Sequence, residues 1–211
     1  MEIFLDSSDI AEIREYKDFI DGVTTNPSLL SKVQNPEKTI EEICALVPGP
    51  ISMEVIATSA EEMIAEIKKI SKIAPNIVVK IPLTKDGLKA LKFASEHDIE
   101  TNVTLCFSET QAIFTAKFGA TYVSPFVGRL DDLGLDGTNL IKNISTIFKN
   151  YDYDTRILAA SIRSANHVVE VMKAGADAVT VPTKILKQML SHPLTDIGLA
   201  NFLKDWNNRK Q

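Results

Sequence analysis

Lys80 stands in the middle of the run NIVVKIP, Asn76 to Pro82, whose β-branched, apolar content reads as a buried strand. Lysine is among the residues least often fully buried unless it is paired. Two chemistries suit such a placement. A neighbouring carboxylate could neutralise the ammonium, or desolvation could favour the free amine, which attacks carbonyls and forms a Schiff base. An iminium at a ketone is an electron sink, so the adjacent carbon–carbon bond can break to leave an enamine. That reaction needs a proton shuttle. Asp6 and Glu54 are the candidate carboxylates, acting directly or through water, and Thr104 offers a hydroxyl to orient that water. If both carboxylates ionise beside Lys80 they hold it as an ammonium instead, and a salt bridge results.

Substrate recognition has its own signal. The segments SPFVGRLDD and ASIRSAN place Arg129 and Arg163 just past two successive candidate strands. A planar guanidinium fork suits phosphate. Ser161, followed by Ser164 at a helix start, can add a hydroxyl and main-chain donors. Asp131 and Asp132 are competing partners for Arg129. Two arginines on adjacent loops above one lysine point to a sugar phosphate. Lys184 lies beyond a strand in a helix-start context and reads as solvated, while His97, His167 and His192 read as surface or helix residues rather than ligands.

These residues need a scaffold that converges them. Eight short runs rich in β-branched residues recur along the chain: EIFLDS, GVTTN, ISMEVIA, IVVKIPL, TNVTLC, TYVSPFV, RILAASI and AVTVP. Between them lie segments of helical periodicity, at 8–19, 36–46, 60–74, 86–96, 108–118, 138–149, 164–174 and 183–190, with a last amphipathic stretch from about 196 to 206. Strands alternating with helices imply βαβ units and a parallel sheet. Eight repeats predict closure into a (β/α)8 barrel, compact beside the usual ~250 residues. An open doubly wound sheet would carry a glycine-rich loop after its first strand; here Asp6 is followed by Ser7 and Ser8. No linker or composition shift divides the chain, so residues 1–211 read as a single barrel domain.

Within the strands the polar residues fall on one face, the side-chain period being two. The set comprises Asp6, Thr24, Asn26, Ser52, Glu54, Lys80, Asn102, Thr104, Ser124, Ser161 and Thr180. Leu5, Val55, Val79, Ile81, Val103 and Val123 alternate with them and suit a helix-covered surface. Most of the polar residues sit late in their strands, which gathers them at the C-terminal mouth of a barrel. Asp6, Glu54 and Lys80 together would be expensive to desolvate for stability alone.

Bulk composition bounds the function. With 45% hydrophobic residues, 211 residues can bury a sizeable core. A net charge of −5 argues against general attraction to nucleic acid or an anionic membrane. Cys44 and Cys106 form neither a disulfide framework nor a zinc site, which favours a reducing, cytoplasmic setting. The start MEIFLDSSDIAEI lacks the basic head and apolar centre of a signal peptide, and no run reaches the length of a membrane helix.

At these residues the chain resembles the transaldolase family, in its small single-barrel branch, which includes the fructose-6-phosphate aldolases. GVTTNPSLL (Gly22 to Leu30) and IVVKIPLT (Ile77 to Thr84) resemble two signatures of the family, and TNVTL, SPFVGR and AASIRS follow in order. The resemblance implies a class I aldolase-type barrel with Lys80 as the Schiff-base lysine and Asp6 as general acid/base. Glu54 and Thr104 would hold the catalytic water; Thr24, Asn26 and Ser124 would line the substrate channel; Arg129, Ser161 and Arg163 would bind the phosphate. It further implies transfer of a dihydroxyacetone unit from sedoheptulose 7-phosphate or fructose 6-phosphate to erythrose 4-phosphate or glyceraldehyde 3-phosphate, in the pentose phosphate pathway, without metal or organic cofactor. The aldolases of the branch carry glutamine where this chain has Glu54 and tyrosine where it has Phe126, so the pattern favours transaldolase, with fructose-6-phosphate aldolase as the alternative. The C-terminal DIGLANFLKDW, with Phe202 and Trp206, would pack on its own barrel or, as in this branch, reach a neighbouring subunit of a pentamer or decamer. A non-catalytic sugar-phosphate-binding barrel with Lys80 salt-bridged is the rival of another class, and a barrel isomerase using Asp6 or Glu54 as base without a covalent step is a third.

Overall fold

The computed structural model describes residues 1–209. Eight strands, β1 (Glu2–Asp6), β2 (Gly22–Thr24), β3 (Ile51–Glu54), β4 (Ile77–Pro82), β5 (Thr101–Cys106), β6 (Tyr122–Pro125), β7 (Arg156–Ala159) and β8 (Ala178–Val181), pair in parallel and in sequence order. The barrel closes where β1 pairs with β8, Glu2 opposite Ala178 and Leu5 opposite Val181. This is the (β/α)8 barrel expected from the alternation of strands and helices.

The helices are α1 (Ile10–Tyr16, continued by a 3-10 turn Lys17–Phe19), α2 (Pro27–Leu30), α3 (Pro36–Leu46), α4 (Ala60–Ile70), α5 (Lys85–Ser95), α6 (Glu109–Lys117), α7 (Val127–Asp131), α8 (Gly137–Asn150), α9 (Ala165–Lys173), α10 (Thr183–Leu190) and α11 (Pro193–Asn208). Their starts follow cap chemistry: the side chains of Asp9, Asn35, Ser59, Thr84, Ser108, Asp136 and Ser164 each accept a main-chain N–H of the first turn. Each such cap contributes about 1 kcal/mol. In α8 the residues Leu140, Ile141, Ile144 and Phe148 recur at helical spacing and are buried against the barrel. Each buried side chain of this kind stabilises by about 1.5–3 kcal/mol.

Two cores result. Between sheet and helices lies the larger, including Leu5, Val23, Val79, Ile81, Val103 and Val123. Inside the barrel, Phe4, Val78, Tyr122, Leu158 and Ala178 fill the end near the strand starts. Arg156 closes that end, its guanidinium 2.8 Å from Glu2 and over the Tyr122 ring. The opposite end of the interior is polar, and it opens at the C-terminal ends of the strands.

Three elements depart from the sequence reading. Helices α2 and α7, of 4 and 5 residues, were not foreseen. The last helix begins at Pro193 rather than near 196, and residues 210–211 of the expected 1–211 domain lie outside the described residues. Phe202 is 73% and Trp206 54% exposed, so their own barrel is not what they pack against.

Candidate active site

The parallel register sets neighbouring strands level, and that is what assembles the site. Glu54 pairs in register with Lys80, and Asp6 with Thr24. Inward-facing side chains at paired positions meet, so Lys80 Nζ lies 3.0 Å from Glu54 Oε2. The same Nζ donates to the Thr25 carbonyl oxygen at 3.0 Å. Lys80 is only 6% exposed, as its apolar strand predicted.

Asp6 sits across the mouth on β1 and accepts a hydrogen bond from Thr24 Oγ1 at 2.9 Å. Burial raises its carboxyl above the ordinary 3.8, opposed by the Lys80 charge and by the Thr24 hydrogen bond. Thr104 Oγ1 is buried and takes no hydrogen bond from the described residues, which leaves it free for water or a substrate hydroxyl. Below it, Asn102 Nδ2 donates to Ser52 Oγ at 3.1 Å and Ser124 Oγ donates to Asn102 Oδ1 at 2.6 Å, a fully paired polar layer over the apolar plug.

All eleven candidate residues line one cavity of about 470 Å³: Asp6, Thr24, Asn26, Glu54, Lys80, Thr104, Ser124, Phe126, Arg129, Ser161 and Arg163. A somewhat larger groove of about 590 Å³ beside Leu88, Phe114 and Phe118 is mostly apolar; Lys85, Lys89 and Lys92 also line it, with no carboxylate among its walls. Composition of the walls, rather than volume, singles out the barrel mouth.

Local conformation explains the rest. Asn26 caps α2, its Oδ1 accepting the Leu29 N–H at 3.0 Å, so the amide nitrogen is the part left for the cavity. Ser161 is out of phase with Leu158, which points into the barrel, and by strand alternation it would face the helices. It lies instead beyond β7 with φ +64°, and this left-handed turn brings it to the mouth. Gly128 packs on that turn, where a Cβ would collide with the Ser161 carbonyl and the Arg163 side chain. Leu105 has φ +60° at a register shift between β5 and β6, and it also lines the cavity. Such conformations cost about 1–3 kcal/mol and concentrate at functional sites. No glycine marked either position.

The arginines occupy different surroundings. Arg129 stacks on Phe126, its guanidinium carbon 4.7 Å from the ring centre. The acid expected to compete for it is engaged elsewhere: Asp132 Oδ2 is 2.6 Å from Arg163 Nη2. Asp131 lies 3.2 Å from His167 Nε2, off the N–H direction, and accepts the Gly137 N–H at 2.9 Å. His167, in α9, is therefore buried beside the site, while His97, His192 and Lys184 are exposed. Ser164 spends its hydroxyl capping α9. Burial pushes the Cys106 thiol up to about 12 and Cys44 up to about 11, which disfavours the thiolate that a nucleophile needs. Among the described residues, no three His, Cys, Asp or Glu converge as metal ligands, and no helix is long and apolar enough to cross a membrane.

Besides Leu105, sequence reasoning missed other contributors to this site. The Thr25 carbonyl is a main-chain acceptor, which residue type cannot reveal. Ser28 lines the cavity from the unforeseen helix α2. Thr180 was placed on the inner face without a role; it lines the cavity, its hydroxyl 2.6 Å from that of Thr24.

The family described as Transaldolase/Fructose-6-phosphate aldolase matches residues 3–211. This chain belongs to that family. It is 56% identical to a probable transaldolase of Caulobacter vibrioides, over 100% of this chain and 99% of the relative. A probable transaldolase of Thermodesulfovibrio yellowstonii is 50% identical, over 100% of both chains, and one of Nitrosopumilus maritimus is 52% identical, over 100% of this chain and 96% of the relative. The chain is an enzyme of the transaldolase/aldolase type. A solved mandelate oxidase variant superposes with a TM-score of 0.60 at 17% identity, over 83% of this chain and 59% of the other, a likeness of fold alone.

Proposed function

We propose that this chain is a transaldolase that works through a Schiff base on Lys80. The observation that carries the reading is the Lys80 amine, almost buried at the floor of the barrel mouth, with two arginines above it. Glu54, in contact with Nζ, takes the proton that the ammonium must lose before it attacks the donor's C2 carbonyl. The carbinolamine loses water as Glu54 and a water held at Thr104 return protons. Asp6 then takes the proton of the C4 hydroxyl as the C3–C4 bond breaks. The electron pair of that bond passes to the iminium, leaving an enamine, and the aldehyde departs. Addition of the enamine to an acceptor aldehyde reverses these steps, Asp6 returning its proton to the new hydroxyl, and hydrolysis frees Lys80.

Burial suits Asp6 to this exchange, because a carboxyl raised above its ordinary value is the stronger base for the C4 hydroxyl proton. Arg129, Arg163 and Ser161 bind the sugar phosphate; Thr24, Asn26 and Ser124 orient the chain of hydroxyls between phosphate and lysine. Donors are sedoheptulose 7-phosphate or fructose 6-phosphate, and acceptors erythrose 4-phosphate or glyceraldehyde 3-phosphate, as in the pentose phosphate pathway of the cytoplasm. No metal or organic cofactor enters these steps.

Fructose-6-phosphate aldolase is the second reading of the same site. It differs in the fate of the enamine, which is protonated and released as dihydroxyacetone. Phe126 places a ring without a hydroxyl in the cavity and Glu54 places a carboxyl, not an amide, 3.0 Å from Lys80 Nζ, both of which support transfer over release. Incubating the enzyme with fructose 6-phosphate, with and without erythrose 4-phosphate, separates the two. Turnover that requires the acceptor supports transaldolase; acceptor-independent accumulation of dihydroxyacetone supports the aldolase. The exposed apolar face of α11, with Phe202 and Trp206, supports assembly into a homo-oligomer, a pentamer or decamer as the resemblance implies.

A further inference from the structure

We propose that Thr180 is a positioning residue for Asp6, acting through a chain of two hydroxyls. Thr24 has one hydroxyl proton, and it is given to Asp6 Oδ1 at 2.9 Å. The Thr24 and Thr180 oxygens are 2.6 Å apart and buried. With the Thr24 proton committed, the bond between them has one possible donor, the Thr180 hydroxyl. Thr180 therefore holds Thr24 in the rotation that serves Asp6 and polarises its O–H, which strengthens the bond to the carboxylate. The chain runs across β8, β2 and β1, whose register sets Thr24 beside Asp6 and β8 beside β1.

The consequence concerns which oxygen works. Oδ1 is reserved by Thr24, and Oδ2 takes no hydrogen bond from the described residues while Asp6 lines the cavity. Oδ2 is thus the oxygen that exchanges a proton with substrate. Protonating Asp6 on Oδ1 would require both hydroxyls to reverse, Asp6 donating to Thr24 and Thr24 to Thr180. The relay opposes that state and holds the anion as the resting base.

The charged groups facing Asp6 are Lys80 from β4, Glu54 from β3, and Arg129 and Arg163 at the mouth. Glu12 of α1 is bound by Ser7 and Thr183 behind it. A Thr180 substitution alters none of them, so a change in Asp6 titration reports the relay.

This inference rests on Asp6 being the proton shuttle of the proposed transaldolase, and the test keeps the two apart. The dependence of kcat on pH is measured for the wild type, Thr180→Val and Thr180→Ser, each protein also being trapped with borohydride and fructose 6-phosphate. Loss of the relay weakens the hydrogen bond to the carboxylate and raises Asp6 further. The acid limb of the Thr180→Val profile then moves up by roughly half to one pH unit, and Thr180→Ser returns it to the wild-type position. Thr180→Ala gives the same reading should valine strain the barrel. Superposed valine and wild-type profiles, or a serine profile displaced as far as valine, overturn the relay. Absence of any adduct on Lys80 in the wild type overturns the underlying mechanism instead.

Discussion

Removing Lys80 should destabilise the protein, and removing Glu54 with it should largely undo the damage. The two charges are 3.0 Å apart, with side chains only 7% and 11% exposed. At an effective dielectric of ~20 their gross attraction is about 5.5 kcal/mol. Most of it offsets the desolvation of both groups, so the intact pair has little net value. A lone partner keeps its desolvation cost with no compensation, which for buried pairs amounts to about 3–5 kcal/mol. Glu54 retains contact with the cavity, so the low end applies to Lys80→Met: about 3 kcal/mol, or roughly 6–12 °C in thermal midpoint for a chain of this size. The double variant Lys80→Met/Glu54→Leu should lie within about 1 kcal/mol of the wild type. Calorimetry and urea unfolding of both singles and the double give the coupling directly. Two singles each costing under about 1 kcal/mol, and adding in the double, would refute the account of Lys80 as a buried, charge-paired amine.

Asp6→Asn should stabilise the fold while abolishing turnover. The folded-state carboxyl is raised above 3.8, so its contribution is complete below that pH and is lost as pH rises through the folded value. The gain in thermal midpoint over the wild type should therefore appear above that window and vanish as pH falls to 3.8, which a pH series of melting curves checks. Arg163→Ala should raise KM for fructose 6-phosphate at least ~10-fold with kcat and thermal midpoint little changed, because its exposed pair with Asp132 contributes only about 0–1 kcal/mol. An equal loss in kcat would contradict a phosphate-binding role. In sedimentation the chain should run well above its 23.3 kDa monomer, and Phe202→Asp with Trp206→Asp should dissociate it without unfolding the barrel.

The parts of this protein legible in the sequence are those where one physical rule dominates. Helix α3 runs from Pro36 to Leu46, as read, because Asn35 caps it and proline fits its first turn. The inner face of β4 was legible because one lysine interrupts an apolar run. Helices α2 and α7 were not, since 4 or 5 residues cannot show a period of 3.6. Ser161 reached the cavity for a reason other than strand alternation, and its φ of +64° had no glycine to announce it. The pairing of Asp132 with Arg163 rather than Arg129 depends on how two loops fold over one another, which no local spacing encodes.

The most direct test of the central claim is borohydride reduction of the protein in the presence of fructose 6-phosphate, read by peptide mass spectrometry. The account predicts a stable adduct on the peptide that contains Lys80, absent from Lys80→Met and weakened in Arg163→Ala at low substrate. Substrate that binds but leaves Lys80 unmodified would contradict the Schiff-base mechanism and leave the buried pair with Glu54 as a structural ion pair in a sugar-phosphate-binding barrel.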